Sequence, residues 1–240
     1  MRRIKITLAY DGTAFHGWQV QPGLPTIQGV LEQILSAMDG QPVHVAGSGR
    51  TDAGVHALAQ VAAFSIANPI PLNNLRRAVN RLLPPAIRVL AADEVHSAFH
   101  PRFDARSKTY EYRILRGEVC SPFEWPYVHH YPYPLDEERM VRLATVFEGE
   151  HDFAAFAASD DRDGESTSKV RTVFDSALER APGRLVYRIR GSGFLKHMVR
   201  NMVGTLIEAG RGNLADVGTM PEKSGPTAPA KGLFLVKVEY

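Results

Sequence analysis

Between Ile4 and Ala91 the hydrophobic pattern keeps switching from strand to helix spacing, and this alternation limits the folds open to the chain. Ile4, Ile6, Leu8 and Tyr10 alternate with Lys5, Thr7 and Ala9, which predicts a half-buried strand. Asp11 to Pro25 is polar and glycine-rich, a long loop. Ile27, Val30, Leu31, Ile34, Leu35 and Met38 then recur at helical spacing, with Thr26 placed to cap the helix and Gly40 to end it. Val43 to Ala46 is a short strand, Gly47 to His56 a polar loop and Leu58 to Ile66 a further strand. Leu72, Leu75, Val79, Leu82 and Leu83 mark a second helix, stopped by Pro84-Pro85, and Ile87 to Ala91 is again a strand. Helices laid on a sheet follow, in an α+β or α/β arrangement.

The second half returns to the same order. Arg106 to Leu115 is a strand whose even positions put Arg106, Lys108, Tyr110, Tyr112 and Ile114 on one face. Pro122 to Pro134 is an aromatic, proline-rich connection. Asp136 caps a helix carrying Met140, Leu143, Ala144 and Phe147. Ser159 to Lys169 is a charged loop. Val170 to Glu179 and Leu185 to Arg190 form a hairpin around Pro182-Gly183. Phe194 to Ala209 is a helix and Leu233 to Tyr240 a closing strand. No residue-level repeat accompanies the repeated order. The 240 residues leave room for two small domains, and the best boundary lies near Phe103–Asp104, giving 1–103 and 104–240.

Charge alone does not name a partner. The 28 Lys+Arg and 26 Asp+Glu leave a formal charge of +2, which excludes a polybasic tail but not a basic face. The basic residues do group: Arg76, Arg77 and Arg81; Arg102, Arg106 and Lys108; Lys169 with Arg171; Arg188 with Arg190; Lys196 with Arg200. Such groups with a few aromatics suit an RNA stem, read by shape and phosphate, although any one of them also reads as ordinary surface charge. The single cysteine, Cys120, excludes an intrachain disulfide framework and a cysteine zinc cluster. No stretch approaches the ~18 apolar residues of a membrane span, and Met1 to Ile6 leads straight into alternation rather than a signal core. A soluble, cytoplasmic protein is expected.

One run carries chemistry. Gly47-Ser48-Gly49-Arg50-Thr51-Asp52-Ala53-Gly54-Val55-His56 sets three glycines, two charges and a histidine between two apolar strands. No Gly-Lys-Ser/Thr ends it, so it is not a phosphate loop, and Asp52 stands where a dinucleotide fingerprint needs its third glycine. From composition alone it also reads as a glycine-rich turn with Arg50 and Asp52 as solvated charges.

Three separated segments together resemble the tRNA pseudouridine synthase A family. They are Tyr10-Asp11-Gly12-Thr13-Ala14-Phe15-His16-Gly17-Trp18-Gln19, Gly49 to Ala57, and Lys196-His197-Met198-Val199-Arg200-Asn201-Met202-Val203-Gly204. The ending Thr227-Ala228-Pro229-Ala230-Lys231-Gly232-Leu233 is similar to that family's C-terminal signature, so the likeness runs in order from Ile4 to Tyr240. Gly210 to Ser224 is shorter than in the family, which has a further helix there. The resemblance implies an α+β fold of two similar ferredoxin-like halves, with mainly antiparallel sheets, helices on one face and an active-site cleft between the halves. It implies isomerisation of uridine to pseudouridine in the tRNA anticodon stem–loop, at positions 38–40, by a homodimer.

The same resemblance assigns residues. Asp52 matches the essential aspartate, Arg200 the arginine paired with it, Tyr110 the tyrosine that packs on the target base, and Arg50 an arginine that holds the nucleotide backbone or keeps the stem–loop open. The chemistry fits: a carboxylate is a competent nucleophile, and an unperturbed one is ionised at neutral pH. Nothing is oxidised or added in this isomerisation, so no cofactor or metal is expected. Whether Asp52 attacks C1′ or C6, or acts through a glycal, stays open. The stripe Leu195, Met198, Val199, Met202, Val203, Leu206 and Ile207 puts Lys196 and Arg200 together on the other side of the last helix, which also reads as a solvent-exposed basic face. His56 reads as a tie for its loop. Asp160 to Glu165 is similar to a calcium loop in composition but lacks its ligand spacing. The alternatives are a non-catalytic RNA-binding module of the same fold and a metabolic α/β enzyme. Asp52 with Arg50, Tyr110 and Arg200 favours an enzyme over the first, and the second lacks any nucleotide loop or metal cluster.

Overall fold

The computed structural model describes residues 1–158 and 168–240. The charged loop expected from Ser159 to Lys169 therefore lies outside the described residues, apart from its last two. In chain order the elements are β1 (Arg2–Tyr10), α1 (Ile27–Asp39), β2 (Ala46–Gly47), β3 (His56–Ile66), α2 (Leu72–Leu82), β4 (Ile87–Val95) and β5 (Ser107–Leu115). There follow β6 (His129–His130), α3 (Glu137–Val146), β7 (Gly149–Asp152), β8 (Val170–Ala181), β9 (Arg184–Gly191), α4 (Met198–Gly210) and β10 (Leu233–Glu239). This is an α+β chain. It divides into two compact units, Met1–Arg106 with Phe234–Tyr240, and Ser107–Leu233.

In the first unit β1 is paired antiparallel with β3 on one side and β4 on the other. β2 adds antiparallel to β3, and β10 runs parallel to β3 at Phe234↔His56. Ile4, Ile6, Leu8 and Tyr10 are the buried side of β1, as their alternation demands. Thr26 caps α1 by accepting from the Gly29 N–H, and Gly40 closes it at φ 74°. Leu35 of α1 and Leu75 and Val79 of α2 line one small apolar hollow with Ile6, Phe64 and Val89, so both helices pack on one face of this unit's sheet. Between the pairs Leu8↔Gln60 and Tyr10↔Ala57, β3 carries one residue more than β1, a β-bulge.

The expected strand Val43 to Ala46 shrinks to Ala46–Gly47. Val43 and Val45 are buried, but their N–H groups go to Ser36 Oγ (2.8 Å) and Glu32 Oε1 (2.9 Å) on α1 instead of to a ladder.

In the second unit β5, β9, β8 and β7 pair antiparallel in that order, and β6 runs parallel to β5 at Ile114↔His129. Asp136 caps α3 by accepting from Arg139 N. Strand β7, Gly-Glu-His-Asp, is polar and carries no alternation that sequence reading could detect.

The last helix is a correction. It begins at Met198, not Phe194, because His197 adopts φ 62° in the left-handed region and breaks the turn before it. Lys196 therefore stands outside the helix and shares no helical face with Arg200. The helix is also buried almost all round, from Met198 to Gly210. A strap of residues 225–229 covers its remaining side: Gly225 N donates to Thr205 Oγ1 at 2.8 Å, and a Cβ on Gly204 would stand 1.7 Å from Pro226 O. Between Gly212 and Ala230 no further helix or strand stands. Among the described residues no helix is long and apolar enough to cross a membrane.

Candidate active site

The loop between β2 and β3 is built to hold one conformation. Val55 N donates to Asp52 O (3.1 Å), closing a β-turn, and Gly54 at its third position takes φ 77°, the value that turn requires of a glycine. The long loop after β1 lies directly on this turn. Trp18 N donates to Thr51 O (3.0 Å) and Gly54 N to Phe15 O (3.3 Å). A Cβ on Gly12 would meet Val55 O at 2.1 Å, and one on Gly47 the Trp18 ring at 2.6 Å. Two of the three resemblance segments are thus one structure: the first is the bed on which the second lies.

Beneath the loop is a buried polar network. Tyr10 OH is 2.8 Å from Thr51 Oγ1, and the Gln60 amide bonds Ser48, Gly49 and Tyr10. Burial pushes the Tyr10 phenol up to about 12, opposed by its bonds to Thr51 and Gln60, so it stays protonated. His56 is buried. Its Nδ1 accepts from Gly12 N (3.1 Å), with Asp11 Oδ1 3.2 Å away, and its ring stacks on Phe234 at 4.7 Å. His56 thus joins the two loops and β10.

Above this anchored base stand the two charged groups. Asp52 is half-buried. Arg50 is exposed and makes no hydrogen bond or ion pair among the described residues. The loop therefore presents a half-buried carboxylate and an exposed cation two residues apart, and the cation suits an anionic group such as a phosphate.

In the second unit, Tyr110 lies mid-strand in β5, 7 % exposed, with its ring edge-on to Phe194 at 5.1 Å. Tyr112, two residues on, faces the same way and is wholly buried. Its hydroxyl donates to Pro229 O (2.8 Å), and Arg200 Nε donates to the neighbouring Ala228 O (2.8 Å). Burial pushes the Tyr112 phenol up, and the charge of Arg200 opposes that rise, so the two groups are close in space. Arg200 is half-buried and tied to the strap. The solvent-exposed basic helix face is thereby corrected: the helix is a central, packed element, and Arg200 leaves it in the first turn.

Several site-building residues escaped sequence reading. Gln60 was legible only as a lone amide inside an apolar strand, and Tyr10 only as the end of an alternating run and the first residue of a resemblance segment. His129 was hidden in the aromatic connection; burial, with the nearby Lys231 and His130 charges, lowers its pKa to about 4. Lys231 itself lies 3.2 Å over the Trp125 ring. Among the described residues no three His, Cys, Asp or Glu side chains are grouped to hold a metal ion.

Known proteins match this sequence. A family model described as "tRNA pseudouridine synthase" matches residues 6–104 and 143–240. The chain is 76 % identical over 240 residues to a tRNA pseudouridine synthase A of Solibacter usitatus (strain Ellin6076), covering all of both chains. It is 44 % identical over 251 residues to the tRNA pseudouridine synthase A of Lacticaseibacillus casei (strain BL23), again covering all of both. Among solved structures, a chain of a Cbf5-Nop10-Gar1 complex is similar over 85 % of this chain and 45 % of its own, so this chain spans less than half its length; at TM-score 0.36 and 15 % identity that likeness carries no argument.

Proposed function

The chain belongs to the tRNA pseudouridine synthase family, a family of isomerases, and from that premise we propose that it converts uridine to pseudouridine in the anticodon stem–loop of tRNA, at positions 38–40, with Asp52 as the nucleophile. The observation that carries the assignment is the loop itself: its backbone is pinned by Trp18, Phe15 and the buried Tyr10–Gln60 network, while it offers Asp52 half-exposed. A carboxylate held so rigidly spends little on reorganisation when it reacts.

The reaction breaks the C1′–N1 bond, turns the uracil and joins C1′ to C5. N1 gains the proton that C5 loses, so atoms and electrons balance without cofactor. The balance is the same whether the carboxylate adds at C1′ or C6, or removes the 2′ hydrogen to give a glycal. A target base must first leave its stack, costing a few kcal/mol. Tyr110 packs on the displaced base and offsets part of that cost. Arg50 holds the nucleotide backbone, and Arg200 acts as the cationic partner of the reacting carboxylate. Two similar βαββαβ halves and a cytoplasmic homodimer complete the reading. The order β1–α1–β2–β3–α2–β4, with antiparallel β4–β1–β3–β2 pairing, supports the first half of that scheme.

The experiment is incubation of the protein with an unmodified tRNA transcript bearing uridines at 38, 39 and 40, followed by mapping of pseudouridine. Product confined to those positions supports the reading, and product elsewhere in the tRNA overturns the regional assignment.

A further inference from the structure

Gln60 is fully buried in β3, among Ala57, Val61, Ala62 and Phe64. Its amide uses every hydrogen-bonding position it has. Oε1 accepts from Ser48 Oγ (2.6 Å) and from Val61 N (3.1 Å). Nε2 donates to Gly49 O (3.0 Å) and to the Tyr10 hydroxyl (3.4 Å). The Tyr10 hydroxyl also shares a hydrogen bond with Thr51 Oγ1, 2.8 Å away. The bulge in β3 falls just before Gln60, a place where bulges re-aim side chains beside active sites.

A leucine would fill the same volume and need no partners. A buried amide with four partners fixes backbone, and it is costly if any partner is lost. We propose that Gln60 is a positioning residue for the reaction: through Ser48, Gly49, Tyr10 and Thr51 it locks the chain on both sides of Arg50 and so sets where Asp52 stands. This rests on the reading that Asp52 reacts. Gln60 touches no substrate; it acts through the loop.

The test compares full-length wild type, Tyr10→Phe, Gln60→Leu and Asp52→Ala on an unmodified tRNA transcript, reading kcat, KM, tRNA Kd and thermal midpoint. A misaimed carboxylate lowers kcat by about 10- to 100-fold in Tyr10→Phe and Gln60→Leu while KM and Kd stay within about twofold. Should Gln60→Leu fail to fold, Tyr10→Phe decides, since it deletes one oxygen and keeps the ring. A lowered midpoint with unchanged kcat well below it means a merely structural network and overturns the proposal. Product persisting in Asp52→Ala overturns the underlying reading instead. Loss there with full kcat in Tyr10→Phe overturns the positioning role alone.

Discussion

Gly12 and Val55 lie so close that a Cβ on Gly12 would stand 2.1 Å from the Val55 carbonyl oxygen. This contact locks the loop after β1 against the loop that carries Asp52. Gly12→Ala must push one loop off the other. It is expected to cost about 1–3 kcal/mol of stability, as overpacking does, and to lower activity with it. Urea unfolding measures the first; unchanged stability would show that the two loops are not locked together.

Arg200→Ala is expected to lose nearly all activity while folding and binding tRNA. The Nε bond to Ala228 O joins a charged donor to a neutral acceptor at a half-buried site, and loss of that bond costs about 1.5–3 kcal/mol. Far-UV circular dichroism and a filter-binding Kd check the fold and the binding. An Arg200→Ala protein that turns over normally discards the assignment.

Tyr110→Ala should bind tRNA but turn over poorly. Base–aromatic stacking is worth about 1–3 kcal/mol, so single-turnover rates should fall by roughly 5- to 100-fold. Full activity would contradict a stacking role and leave Tyr110 as a core ring packed on Phe194.

The two units were legible in the sequence to different depths. In the first, β1, α1 and α2 follow from period and caps, because each has one buried side and one wet side. Asp52 and Arg50 stand out because glycines surround them. In the second unit, α4 carries apolar residues on nearly every face, so periodicity cannot locate its start, and only the left-handed His197 sets it. Its covering strap is a long-range contact with no local signal. The Gln60 network escaped for the same reason: its partners lie 11, 12 and 50 residues away.

His129 makes the fold acid-sensitive. Its folded pKa is lowered to about 4 from 6.5. As pH falls through 6.5 the unfolded chain takes up a proton that the folded chain refuses, so stability drops until about pH 4 and then levels. Partial exposure discounts the effect to about 1–2 kcal/mol. His129→Gln should flatten that part of a stability–pH curve; an unchanged curve would contradict it.

The most direct measurement places Asp52→Ala beside wild type on one unmodified tRNA transcript and counts pseudouridine in the anticodon arm at equal tRNA occupancy. The account predicts pseudouridine with wild type and none with Asp52→Ala. Pseudouridine formed by the Asp52→Ala protein would contradict it.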